Sequence, residues 1–204
     1  MPVSLSHFYS RGRSLRVAYG LQVVTGLFLA MHYRINFKDL IVYTRDTEFG
    51  SMLRFYHATG ASLFLFLLYW HLRRGLYYRS FNKNKLWRSR VVILLVSMGA
   101  AFLGYVLPYG QMSYWGATVI INLLSVFSYE ICITLWRGFV VSEYTLVRMF
   151  SFHFLVPLVL GALLLIHVSL LHTSGRSSLN YSFNKLGFTR SYLNKDFFMW
   201  VVLM

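Results

Sequence analysis

Four of the seven histidines in this chain fall at one repeated interval, and imidazole is the side chain here best suited to hold a redox metal. His57 and His71 are fourteen residues apart, and so are His153 and His167. Fourteen residues of helix advance about 21 Å and turn about 1400°, some 40° short of four turns, so the two histidines of a pair share one face at two depths. The single cysteine, Cys132, closes no intrachain disulfide and by itself holds no zinc or iron-sulfur site. Two imidazoles approaching from opposite sides at one depth suit the axial positions of a haem iron. Such an iron has no vacant position for oxygen and is confined to moving electrons. Zinc would want further Cys, His or carboxylate ligands at the same depth, and the segments around these histidines offer none.

The elements that must position them are apolar. The chain is 57% AVILMFWYC and 13% charged, which places it in a membrane rather than among water-soluble domains. Four stretches, roughly residues 15–33, 52–72, 91–108 and 149–171, are long enough as helices to cross about 30 Å of hydrocarbon. The spacing thus predicts an all-α, polytopic four-helix bundle over residues 1–172. The second span carries His57 and His71 and the fourth carries His153 and His167. Separated by two crossings, these spans run in the same direction, so His57 is expected to face His153, and His71 to face His167. Ionisable groups inside spans usually face a bundle interior with a partner, which supports two sites, each holding one haem b. Trp115 to Val141, with scattered polar residues, is expected as interfacial helices. Residues 173–204 read as a polar loop and the start of a further helix. The closing apolar run Phe197–Met204 is too short to span, which predicts a chain that is cut or continued by a separate polypeptide.

The charges orient the bundle. Fourteen of the twenty basic residues fall with the N-terminus, the loop between the second and third spans, and the segment after the fourth, where there is one acid, Asp196. The opposite side has six basic and five acidic residues. The positive-inside rule puts the first side in the cytoplasm or matrix, so the net charge of +14 is topological, and no nucleic-acid partner is expected. Gly12 and Gly26, also fourteen apart, and Gly104 are small residues at haem depth, where a flat macrocycle comes close to backbone. Arg54, three residues before His57, and Arg74, three after His71, stand a turn nearer water, placed either for haem propionates or for lipid headgroups. His172 lies five residues past His167, and Lys195 and Asp196 fall on the same side. A histidine with a carboxylate beside a haem edge suits proton delivery to a quinone.

The segments RFYHATGASLFLFLLYWHLRRGLYY, GYVLPYGQMSYWGATVIINLLS and FHFLVPLVLGALLLIHVSLLHTSG, with LQVVTGLFLAMHY, resemble mitochondrial cytochrome b, the haem-carrying subunit of ubiquinol:cytochrome c oxidoreductase, respiratory complex III. The resemblance runs from about Gly12 to Asp196. It implies a low-potential haem b on His57 and His153 near the outer face, and a high-potential haem b on His71 and His167 near the matrix. It also implies ubiquinol oxidation at the outer face and ubiquinone reduction at the inner face. HVSLLHTSG and NKDF match the family's inner quinone pattern, making His172, Lys195 and Asp196 catalytic there, with Phe188 in the aromatic wall. Tyr105, Met112, Trp115, Gly116 and Ala117 match one wall of the outer quinol site. The Pro-Glu-Trp-Tyr loop of the other wall does not occur among these residues. Expected partners are the iron-sulfur protein, cytochrome c1 and other complex III subunits, membrane lipid and a second copy of the chain. The expected location is the mitochondrial inner membrane, with the N-terminus on the matrix side.

The chain departs from the family at several positions. Arg90 stands fourteen residues before Gly104, where the family has a glycine, and either snorkels to water or reaches a propionate. Arg13, Arg16, Thr173 and Arg176 also replace smaller, apolar or acidic residues. Two rivals remain on the sequence alone: a di-haem quinone-reactive anchor of another oxidoreductase, and a haem-free scaffold subunit. The segment GYVLPYGQMSYWGATV separates the first of these from the cytochrome b reading.

Overall fold

The computed structural model describes residues 11–35, 42, 45–136 and 141–174. The elements along them are helices: α1 (Arg11–His32), α2 (Gly50–Tyr77), a 3-10 turn (Ser80–Asn82), α3 (Asn84–Val106), α4 (Gln111–Leu124), α5 (Tyr129–Trp136) and α6 (Glu143–Ser174). The four long helices cover the four expected spans, and α4 and α5 fill the stretch expected to be interfacial. At the His71 and His167 end the helices continue well past the apolar limits. Arg73, Arg74, Lys85 and Arg88 are helical there because long basic side chains can lie along the surface with their heads in water.

Among the described residues, α1, α3 and α6 are long and apolar enough to cross a membrane by composition. α2 has 28 residues, or about 42 Å of helix, but carries Arg54, His57, His71, Arg73 and Arg74. Its depth is fixed by its neighbour. Gly12 of α1 lies against His71 and Gly26 against His57, so α1 and α2 run antiparallel, side by side, through the same depth. The two histidines of α2 belong to the face it turns inward, while Arg73 is exposed.

Packing is pairwise: α1 lies along α2, and α3 lies along α6. Between the two histidine levels the pairs meet in an apolar plug of Leu15, Ala18, Leu67, Leu68, Ile93 and Leu160. Tyr19 bonds across this plug, its hydroxyl donating to the Pro157 carbonyl at 2.7 Å. Pro157 sits inside α6, where its missing N–H leaves the helix ladder one bond short. A second cluster, Val106, Ala117, Ile121, Cys132, Val141, Leu146 and Met149, seats α4 and α5 against the ends of α3 and α6. The start of α6 is capped in reverse, the Ser142 N–H donating to Thr145 Oγ1 at 3.1 Å. Outward faces are apolar and exposed, including Leu158, Leu165 and Ile166 on α6, as a helix facing lipid requires.

Candidate haem sites

The two imidazole pairs form as the intervals require. His57 faces His153 and His71 faces His167, each pair with ring centres 6.3 Å apart and planes crossed at 90° and 76°. An imidazole nitrogen binds a metal at about 2.0 Å and the ring centre lies roughly 1.1 Å behind it, so two rings gripping one ion stand about 6.2 Å apart. Both pairs have that separation. Within a helix the two levels are about 21 Å apart along the axis.

Hydrogen-bond counting fixes which nitrogen of three rings is free. Thr25 Oγ1 donates to the Leu21 carbonyl at 2.7 Å and lies 2.8 Å from His57 Nδ1. With its one hydrogen given to the carbonyl, the hydroxyl accepts from the ring, so His57 carries its proton on Nδ1. Ser89 acts likewise, donating to the Leu86 carbonyl at 2.8 Å and standing 2.7 Å from His167 Nδ1. His153 Nδ1 lies 2.9 Å from the Ala100 carbonyl, which can only accept. All three rings therefore present an unprotonated Nε2, the form a metal needs, and are oriented from behind by a second group. His71 Nδ1 is buried with no hydrogen-bond partner among the described residues.

Two protein ligands per level leave the remaining coordination positions of an iron to a macrocycle. Among the described residues no three His, Cys, Asp or Glu side chains gather as a metal site. The donor set thus fits a haem at each level and not a zinc held by protein alone. The glycines stand behind the rings. A methyl at Gly104 would lie 2.6 Å from His153 Cε1, at Gly26 3.0 Å from His57 Cε1, and at Gly12 3.7 Å from His71 Cε1.

The other expected residues divide. Arg54 and Arg74 are half-buried, and the Arg74 guanidinium lies over the Tyr78 ring, 5.3 Å from its centre. His172 is exposed in the last turn of α6. Lys83 Nζ donates to the Ser174 carbonyl at 2.8 Å, which ties the turn before α3 to the helix end that carries His172. Lys195, Asp196 and Phe188 lie outside the described residues. Tyr105, Met112 and Trp115 are exposed, and Gly116 packs near the Tyr105 ring. Ala117 is separate from that surface: it is fully buried in the core with Val106 and Ile121. Beside them, Tyr109 takes a left-handed backbone with φ 51° and donates to the Val141 carbonyl at 3.3 Å. Burial, with Tyr114 and the Glu143 carboxylate nearby, raises its phenol above the ordinary value.

Thr25, Ser89 and Ala100 are positioning residues that the sequence reading did not single out. For Thr25 the available signal was a lone hydroxyl within an apolar span, which is ambiguous because such residues also bond back to their own helix; Ser89 stands between two arginines outside the span, and Ala100 acts through its backbone carbonyl, which residue type does not mark.

An all-helical membrane bundle with imidazoles arrayed as two facing pairs defines a class of electron-transfer proteins that hold planar iron groups between helices. The chain belongs to the Cytochrome b/b6/petB family, whose model matches residues 1–175. It is similar to a chain of a solved structure described as "Hyperthermophilic respiratory Complex III", with a TM-score of 0.87 and 27% sequence identity. That likeness covers 99% of this chain and 59% of the other, so this chain spans a little over half of its length.

Proposed function

We propose that this chain carries electrons across a membrane as the cytochrome b subunit of a respiratory complex III. His57 and His153 hold one haem b, and His71 and His167 hold the second. When bound, these groups supply two one-electron carriers without an open iron position, at two depths of one bundle. The observation that carries the reading is that both imidazole pairs have the same 6.3 Å separation and stand at matched levels of α2 and α6. Family membership and the complex III likeness support it.

The basic residues at the His71–His167 end orient that end to the matrix side of the mitochondrial inner membrane. Quinol is oxidised near Tyr105, Met112 and Trp115 at the other end, and ubiquinone is reduced near His172. At the inner site His172 relays a proton, with Lys195 and Asp196, while Phe188 contributes to the apolar wall. The iron-sulfur protein, cytochrome c1 and a second copy of the chain complete the assembly.

The test is reduced-minus-oxidised absorption of membranes containing the assembled complex. Two b-type components of different midpoint potential are expected. His57→Ala should remove one and His71→Ala the other. An unaltered protein without b-type absorption would end the proposal.

A further inference from the structure

We propose that Arg90 binds a propionate of the haem at the His71–His167 level and holds that haem's midpoint potential up; this rests on the di-haem reading above. Arg90 is on the second turn of α3, directly after Ser89, the residue that orients His167. Its Nε and Nη1 are buried and have no hydrogen-bond partner among the described residues. Its charge reaches Arg74 on α2 as well as His71 and His167. The guanidinium lies against Gly75, which is buried on α2 one turn past His71. A side chain at Gly75 would run into Arg90 Nη1 and lie 3.4 Å from its Cζ. The absence of a side chain there makes a slot that directs the guanidinium between the helices, one turn beyond the imidazoles.

A half-buried guanidinium with two shielded nitrogens, set among other basic groups, calls for an anion. The four described acidic residues, Asp46, Glu48, Glu130 and Glu143, all belong to segments at the opposite end of the bundle. At that end Arg148 also has a buried nitrogen with no partner among the described residues, on the same helix as Glu143. At the Arg90 end the described residues supply none, and the one acid assigned to that side, Asp196, lies outside them and serves the quinone site in the reading above, which leaves a bound group as the counter-ion. The two available chemistries are a haem carboxylate and a lipid phosphate. The seating of Nη1 at Gly75 of α2, one turn past His71, favours the carboxylate. A planar guanidinium suits a carboxylate bidentately. A fixed cation beside the macrocycle also favours the reduced iron.

The experiment uses membranes containing the assembled complex with Arg90→Gln or Arg90→Lys. It combines potentiometric titration of both haems, resonance Raman spectra of the haem propionate bending modes, and phospholipid analysis of the purified complex. Arg90→Gln should lower the reduced-to-oxidised ratio of the inner haem roughly tenfold at fixed ambient potential, about 59 mV for a one-electron couple. It should also shift one propionate band and leave the outer haem unmoved, with Arg90→Lys recovering part of both changes. Propionate bands unchanged in both variants would overturn the assignment. So would loss of bound phospholipid with unchanged bands, which would assign the anion as a lipid phosphate. Should Arg90→Gln fail to assemble, Arg90→Lys alone decides: a smaller downward shift of the inner potential with a shifted propionate band supports the assignment, and unchanged bands overturn it. Failure of the underlying di-haem reading is distinguishable, since the unaltered protein would then show no b-type absorption.

Discussion

Gly104 of α3 backs directly onto His153 of α6, with room for hydrogen and not for a methyl, which would stand 2.6 Å from Cε1. The ring cannot swing away cheaply, because its Nδ1 is held 2.9 Å from the carbonyl of Ala100, one turn before Gly104 on α3. Gly104→Ala should therefore displace His153 and strip the outer haem, halving the b-type difference absorption. Gly26→Ala, at 3.0 Å from a ring held by Thr25, should cause partial loss. Gly12→Ala, at 3.7 Å from a ring whose Nδ1 is unheld, should be tolerated. Equal behaviour of the three variants would contradict steric control of the ligands.

Ser89→Ala and Thr25→Val remove the hydroxyls behind His167 and His57. Each variant frees the ring to rotate or to place its proton on Nε2, the nitrogen a metal needs. Loss of such an orienting group typically costs about 10- to 100-fold in ligand affinity. Ser89→Ala should release the inner haem during detergent washing and Thr25→Val the outer one, as measured by pyridine haemochrome content per subunit. Full retention in both would mean that packing alone orients the rings.

The histidine partners were legible in the sequence because direction and interval leave one pairing: two crossings make α2 and α6 parallel, and fourteen residues fix both levels. The glycine interval on α1 was legible as spacing but not as contact. Since α1 runs antiparallel to α2, Gly12 meets the second histidine and Gly26 the first. That inversion becomes visible only when one knows which helix lies against which. Pairing of α1 with α2 and of α3 with α6 depends on side-chain fit, which residue type does not encode. The position of Arg74 a turn beyond His71 was readable; its guanidinium lies over Tyr78, four residues on, where the end of α2 brings the two side chains together. Ala117, which matches a family motif, is fully buried, because α4 packs the face it shares with Ile121 against Val106 of α3.

Tyr19→Phe tests the tie between the helix pairs. Tyr19 stands seven residues from both Gly12 and Gly26, at mid-depth, and donates to Pro157 within an otherwise apolar plug. Losing one neutral hydrogen bond there should destabilise the bundle by about 1 kcal/mol. The hydroxyl also lies 2.8 Å from where a methyl on Gly161 would stand, so the phenyl ring fits the same space. Thermal unfolding in detergent should shift down by a few degrees with both haem spectra unchanged. A spectral change without a stability change would mean that Tyr19 acts on the haems rather than on the plug.

His172 is the described residue best placed to exchange protons near the inner haem. It is exposed at the last turn of α6, about 7.5 Å along the axis from His167, and the end of that turn is held by Lys83. Quinone reduction consumes two protons with two electrons, and imidazole transfers protons at neutral pH without a large driving-force penalty. His172→Phe keeps an aromatic group of similar size but removes the relay. Reoxidation of the inner haem by quinone should slow by about 10²-fold, the lower range for loss of a general acid, with midpoint potentials unmoved. Lys83→Met should leave the proton chemistry intact and only loosen the helix end, a smaller effect that stopped-flow absorption at the b-type band can separate. If both variants reoxidise at the original rate, proton delivery runs through other groups, and His172 is a surface residue of the helix terminus.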